Sequence, residues 1–346
     1  MRSLGEKIRH SYAEQRLMGT TTRERFSAGE LAPVIIPTCN RWQHFQNLVH
    51  SLQACPLAEQ THLYIALDAP FSEVVLDENR RILQIAENLT DFGQVTIWKR
   101  KSNLGAERNI AEAVDQVFQN HDRLIFLEDD NVVAKNFLLF MNQGMDAFAL
   151  DQRCFSVSGY HFMPVQGGDP EGDMYRSPFF SAWGVGLFRS RYIPAARLLG
   201  PRISAYFLNP VHYWKANQID RRLFPMYLEA RKRGAIHGDV LYRLYCLENK
   251  LYSVFPTATK VINRGFDGSG INCGVLDKPF HDHFEREDQE LFRFGPDPKA
   301  DDFFQQQNCS WFSRQWPGLS KHSLSLFWRY FVRVVGLRSS PPPQIR

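Results

Sequence analysis

Residues Arg123–Asp130 read RLIFLEDD, an apolar run of four residues that leads straight into three consecutive carboxylates. A short apolar run of this kind suits a buried strand. Three adjacent like charges at its tip repel unless a cation, or a ligand carrying one, arrives there. The stretch therefore poses a question of fold and a question of chemistry: which sheet the strand belongs to, and what positive charge Glu128, Asp129 and Asp130 await.

The flanking sequence answers the first question. Ala32–Pro37 (APVIIP) is an apolar run bounded by prolines and predicts a strand, followed by a Thr38-Cys39-Asn40 turn. Arg41–Ala54 predicts a helix, with Phe45, Leu48, Val49 and Leu52 at helical spacing. A second strand spans His62–Leu67 and ends at Asp68, and a second helix spans Ser72–Leu89 with Ser72 as its N-cap. Gln94–Trp98 is a third strand, and Leu104–Gln119 is a helix striped by Ile110, Ala113, Val114 and Val117. Strands alternating with helices build a parallel sheet covered on both faces, an α/β architecture. Such sheets bind ligands beyond the carboxyl ends of their strands. The polar residues gather at those ends: Thr38, Asn40 and Arg41, then Asp68, then Asn103 and Arg108, then the acidic triplet.

Beyond about residue 150 the pattern is less regular. Strands are expected at Cys154–Gly159 and Phe179–Phe188, a Gly/Asp-rich loop at Gly167–Asp173, and helices at 189–199, 218–233 and 238–249. Arg264–Gly274 (RGFDGSGINCG) carries four glycines and reads as a flexible loop. No repeat and no linker divides the chain.

Composition excludes several classes. The 346 residues are 44% hydrophobic and 23% charged with a net charge of +4, which argues against extensive disorder and gives no basis for a nucleic-acid partner. The six cysteines are scattered without a C-x-x-C pair, which fits neither a zinc site nor a dense disulfide framework. No leader-like segment and no membrane-spanning run is apparent, so a cytoplasmic protein is the expectation.

Clustered carboxylates hold hard divalent cations, Mg2+ or Mn2+, which complete their shells with water and substrate phosphate oxygens. The plainer reading of the triplet is a solvated acidic turn capping the next helix. Its position after a buried strand of an α/β series favours the metal and diphosphate reading.

VIIPTCNR, the isolated Asp68, SNLGAERN and FLEDD, in this order, resemble the nucleotide-sugar half of GT-A glycosyltransferases. The likeness is to inverting family 2 enzymes and to N-acetylglucosaminyltransferase I, whose metal motif is also E-D-D. It covers about residues 32–150 well and 179–250 more weakly. The resemblance implies a Rossmann-like nucleotide half (32–150), an acceptor and catalytic half of the same domain (151–318), an N-terminal arm (1–31) and a C-terminal tail (319–346). It implies that Pro37, Thr38, Asn40 and Arg41 line the nucleotide pocket, that Asp68 accepts from the base, and that Asn103 and Arg108 contact base or diphosphate. Asp129 would hold ribose or donor sugar, Asp130 would bind the metal, and Glu128 would face the sugar or the loop. A general base is expected in IHGDVLYRL, where Asp239 matches the second position of an acidic pair and Gly238 replaces the first. Asp220, Glu229 and Asp267 are its competitors, and service as a helix N-cap is its plainer reading. FFSAWGVGLF resembles the acceptor floor, with Trp183 placed to stack on a sugar. His281 or His283 would complete the metal shell, and the glycine-rich loop would close over the donor.

The expected activity is metal-dependent, inverting transfer of a sugar from a nucleotide donor, with a UDP-sugar as first candidate, to a glycan or lipid-linked acceptor. A sugar-phosphate nucleotidyltransferase is an alternative, disfavoured because PTCNR lacks the glycine-rich basic loop of that class. A degenerate binding or scaffold protein is another, kept open by Gly238. Ser323–Arg338 is apolar with periodic arginines, and Lys321 to the end holds five basic and no acidic residues. Such a segment predicts either contact with an anionic membrane or a helix docked on the body.

Overall fold

A computed structural model of the chain describes residues 31–161, 172–199, 206–207, 209–232, 238–269, 283–295, 301–303, 306 and 319–335. The predicted alternation is present. Strand β1 (Val34–Thr38) leads to helix α1 (Trp42–Gln53), β2 (His62–Leu67) to α2 (Leu76–Glu87), β3 (Gln94–Lys99) to α3 (Ala106–Val117), and β4 (Arg123–Phe126) to the acidic turn. After it come β5 (Asn131–Val133), α4 (Phe137–Ala147), β6 (Cys154–Ser158), β7 (Met174–Ser177), β8 (Val185–Phe188) and α5 (Arg189–Leu199). The chain continues through α6 (Pro210–Ile219), α7 (Leu223–Lys232), α8 (Gly238–Asn249), β9 (Tyr252–Pro256), β10 (Val261–Asn263) and α9 (Leu319–Val335).

Eight strands form one sheet in the order β3-β2-β1-β4-β8-β6-β9-β7. The strands β1 to β4 are parallel neighbours, with Ile36 opposite Ile65 and Val34 opposite Ile125. β8 runs antiparallel between β4 and β6, β9 lies parallel to β6, and β7 closes the far edge antiparallel to β9. The fold is thus α/β with a mostly parallel central sheet flanked by helices, as the sequence led us to expect. The two halves of the chain share this sheet, because β4 pairs with β1 on one side and β8 on the other. A separate two-stranded sheet joins β5 to β10, setting Asn131 opposite Asn263.

Alternating residues explain why both faces are covered. Val34, Ile36, Leu63, Ile65 and Ile125 pack one face against α1, α2 and α4. Ile35, Tyr64, Ala66, Leu124 and Phe126 pack the other against α3, α5 and α8. Each such fully buried branched or aromatic side chain contributes roughly 1.5–3 kcal/mol. A third cluster, with Phe207, Phe224, Tyr227, Val240, Leu244 and Phe327, joins α6, α7, α8 and α9.

Several boundaries differ from the sequence reading. Ser72 makes no side-chain cap bond; a 3-10 turn at Glu73–Val75 intervenes, and the α-helix starts at Leu76. The strand expected from Phe179 begins only at Val185, because Gly184 adopts φ 62° and turns the chain beforehand. The helix expected at 218–233 is two helices broken at Asp220, whose carboxylate accepts from the Arg222 backbone N–H and guanidinium. Helix α6 starts earlier because Asn209 Oδ1 accepts from Val211 N at 2.9 Å with Pro210 in the first turn. The N-terminal arm up to residue 30 and most of the Gly167–Asp173 loop lie outside the described residues.

Candidate functional site

The acidic triplet leaves the sheet at the carboxyl edge. Leu127 N still donates to Ile35 O, and the turn then closes through Asn131 N to Glu128 O and Glu128 N to Asn131 Oδ1, each at 3.1 Å. Asp129 and Asp130 are buried, with 5% and 4% exposure. Their partners come from the end of β1 and from β10. Thr38 Oγ1 donates to Asp129 Oδ2 at 2.9 Å. The Arg41 guanidinium forks across both acids, with Nη2 on Asp129 Oδ1 and Nη1 on Asp130 Oδ2, the latter at 2.7 Å. Asp130 Oδ1 accepts from Asn263 Nδ2 at 3.2 Å and Asn131 Nδ2 at 3.3 Å. Gly265 lies so close that a Cβ there would sit 2.1 Å from Asp130 Oδ2. The charge the triplet awaits is thus partly supplied by the chain itself, through Arg41.

Negative charge nevertheless remains in excess. Burial first, then Asp130 and Asp239, push the Glu128 carboxyl well above its ordinary range, with Arg41 opposing. Burial also raises Asp129, with Asp130 adding to the effect while Arg41 and Thr38 oppose it. The Cys39 thiol is pushed up to about 11 by burial and by Asp68 and Asp129, which places the ends of β1, β2 and β4 within one electrostatic neighbourhood and keeps the thiol protonated.

The other residues expected on the donor side divide into three groups. Asp68 is buried at 3% exposure, and its carboxylate accepts from Ala69 N, Leu104 N, Gly105 N and Asn103 Nδ2. Those bonds hold the Asn103–Gly105 loop, with Gly105 at φ 77°, and occupy the lone pairs a base N–H would need. Asn103 also donates to Ala69 O at 2.6 Å. Pro37 and Asn40 are half-buried beside this edge. Arg108 stands away from these bonds, with its side chain 70% exposed and paired with Glu112 at 2.7 Å.

Asp239 lies in the first turn of α8, 4.0 Å from Arg243 Nη2, and is close enough to Glu128 to raise it. Its competitors are placed differently. Asp220 is buried under Arg222 and Arg243, which hold it below its ordinary range against the cost of burial. A carboxylate so committed is a poor proton acceptor. Glu229 is half exposed near Lys232. Asp267 is 51% exposed and bonds His44 Nε2 at 3.0 Å, tying the start of the glycine-rich loop to α1. Trp183 packs edge-on against Tyr160 and Phe266, at 4.7 and 5.8 Å between ring centroids. Phe266 follows Gly265, so this aromatic wall adjoins Asp130. His281 lies outside the described residues, and His283 is exposed.

Sequence reading missed Asn263, Asn131 and Asn79, whose Nδ2 donates to Cys39 O at 2.6 Å and Asp68 O at 2.9 Å to tie two strand ends together. Nothing local in the sequence marks Asn263 as a partner of Asp130.

The donors that fit a hard divalent cation are the buried carboxylates of Asp129 and Asp130, once Arg41 has left them, while the amide oxygens of Asn131 and Asn263 are taken by Glu128 N and Gly265 N. Among the described residues no group of three His, Cys, Asp or Glu side chains converges on one point, so the protein would supply one or two carboxylates. The described cysteines (Cys39, Cys55, Cys154 and Cys246) are unpaired thiols. No described helix is long and apolar enough to cross a membrane.

No protein-family model matches the chain, and no curated protein matches it. Solved structures similar to it include S. aureus TarS, at 14% identity and TM-score 0.31, covering 44% of this chain and 25% of that one. TarS 1-349 in complex with UDP-GlcNAc is 15% identical at TM-score 0.31 over 41% of this chain and 37% of that one. The mannosyltransferase PcManGT from Pyrobaculum calidifontis, in complex with GDP-Man and Mn2+, is 13% identical at TM-score 0.33 over 57% of this chain and 55% of that one. The chain thus spans between a quarter and about half of the length of these proteins. Likenesses of this size leave the function to be argued from the site.

Proposed function

We propose that this chain is a metal-dependent, inverting glycosyltransferase that moves a sugar from a nucleotide donor, a UDP-sugar first among candidates, to a hydroxyl of a glycan or lipid-linked acceptor. One observation carries the reading. The buried Asp129–Asp130 pair sits at the carboxyl edge of β4, braced from β1 and β10, with a further carboxylate, Asp239, near enough to perturb Glu128.

In this reading Asp130, with Asp129, holds Mg2+ or Mn2+ together with the donor diphosphate. When bound, the cation supplies positive charge to the departing nucleotide diphosphate. Pro37, Thr38 and Asn40 line the nucleotide side, and the Asn103–Gly105 loop, fixed by Asp68, forms its floor. Arg41 leaves the acids to meet a phosphate oxygen, a task its planar fork suits. The acceptor oxygen forms a bond to the anomeric carbon as the bond from that carbon to the phosphate oxygen breaks, and the acceptor proton passes to Asp239. Trp183 offers its face to the acceptor sugar, and Arg243 orients Asp239.

The test is a screen of UDP-, GDP- and CMP-sugars with Mn2+, followed for binding and for donor turnover. Asp130→Asn should weaken metal-dependent nucleotide binding, whereas Asp239→Asn should leave binding intact and reduce transfer at least about 100-fold. No binding and no turnover across the screen would overturn the proposal. Binding without turnover would instead favour the binding-module reading that Gly238 keeps open.

A further inference from the structure

We propose that the ridge formed by α6 and α9 docks the protein onto an anionic lipid bilayer, a property that does not depend on the sugar-transfer reading. The C-terminal helix is not a detached tail. Its inner face is buried, with Phe327 stacked on Tyr213 at 4.0 Å between centroids and Ser323 Oγ bonded to the Tyr213 hydroxyl at 3.1 Å. Its opposite face carries Leu324, Trp328 and Val332 at 58%, 63% and 37% exposure. These residues are four apart and form one stripe along the helix. Helix α6, which α9 touches through Tyr213, also exposes Val211 at 52% and Trp214 at 61%.

Five large apolar side chains, two of them tryptophans, stand in solvent on two contacting helices. An exposed stripe such as Leu324, Trp328 and Val332 make along α9 marks an interaction surface rather than scattered surface hydrophobics. The accompanying charge indicates which partner. Neither α6 nor α9 contains a single Asp or Glu, while Lys215 and Arg329 are exposed and Lys321 and Arg333 add to the α9 sequence. At the end of α7, Arg231 Nη1 reaches the Tyr330 hydroxyl of α9 at 3.2 Å, and Lys232 beside it, 78% exposed, pairs with Glu229 at 3.8 Å. A second copy docked on this ridge would set like charges against one another. Anionic headgroups neutralise the cations while tryptophan and aliphatic side chains enter the interfacial layer, as amphipathic surface helices do.

Deleting α9 is a poor test, because Phe327 also packs on Phe224 at 5.5 Å and its loss would open the third core cluster. Surface variants avoid this. The full chain is sedimented with vesicles of phosphatidylcholine alone or of phosphatidylcholine and phosphatidylserine. Wild type should bind only the anionic vesicles, and more weakly as salt rises. The Trp214→Ser/Trp328→Ser double variant should bind about tenfold or more weakly with an unchanged melting temperature, because both residues already face solvent. Lys215→Glu/Arg329→Glu should do the same, so a fold defect in either pair leaves the other decisive. Equal binding by wild type and both pairs overturns the proposal. So does the absence of vesicle binding by wild type. Self-association abolished by the tryptophan substitutions, without vesicle binding, would assign the ridge to a second copy instead.

Discussion

Replacing Arg41 by methionine keeps most of the side-chain stem and removes the charge that now separates Asp129 from Asp130. Both acids are 5% exposed or less, and the guanidinium bonds each of them. Breaking a fully buried ion pair costs about 3–5 kcal/mol. The Arg41 side chain is 21% exposed, so solvent screening and relaxation reduce the cost to about 2 kcal/mol. In a chain of this size that lowers the melting temperature by about 3 °C. The same bonds must break before a cation can take both carboxylates, so the substitution should tighten Mn2+ binding by about 30-fold, the equivalent of that 2 kcal/mol. At a Mn2+ concentration 100 times its dissociation constant, linkage contributes about 2.7 kcal/mol and restores the variant's melting temperature. Calorimetric titration with Mn2+ and thermal melts with and without it measure both effects on one preparation. The reasoning fails if the variant melts like wild type without metal, or if its Mn2+ affinity is no higher.

Gly265→Ala should cost at least about tenfold in metal-dependent nucleotide affinity, since the new methyl would lie 2.1 Å from Asp130 Oδ2 and displace it; unchanged affinity by titration calorimetry would show that Asp130 is not a ligand. Glu128→Gln should alter stability with a definite sign. Its folded-state pKa is raised, so the folded chain holds the proton more tightly, and wild-type stability falls as pH rises from the ordinary glutamate range through the raised value. The glutamine variant should lose that fall and be the more stable protein at pH 8, and parallel urea-unfolding profiles from pH 4 to 8 would contradict the burial of this charge. Gly105→Ala meets nothing within 4 Å but must adopt φ 77°, so it should lower the urea-unfolding free energy by about 1–3 kcal/mol through backbone strain alone.

The β1–β4 half of the sheet was legible because its signals are local. Each strand is an apolar run, each helix has a stripe, and the polar residues follow the runs at the edge where such sheets bind ligands. Asp129 and Asp130 stood out for the same reason, as charges placed where an apolar strand ends. The roles of Asp68 and Arg108 were less readable. Whether a carboxylate meets a ligand or its own chain depends on loop closure, and Asp68 closes on Leu104 and Gly105. Asn263 was invisible as a partner of Asp130 because the two are 133 residues apart and meet only through the β5–β10 pairing. The α6 helix, with a proline and an asparagine at its start and a weak stripe, offered little periodicity to read.

The bracing of Asp130 also sets an order of events during synthesis. Residues 32–130 can pair β1 to β4 among themselves, yet β4 lacks its second neighbour until β8 is made, and Asp130 lacks Asn263 and the close approach of Gly265 until β10 is made. Contacts of such long sequence separation form late. A ribosome-bound chain that stops short of residue 265 therefore carries the acids without their cradle. On the proposed function, competence to bind a ligand at this edge belongs to a chain in which β10 has been made, and ligand binding doubles as a report that both halves have closed.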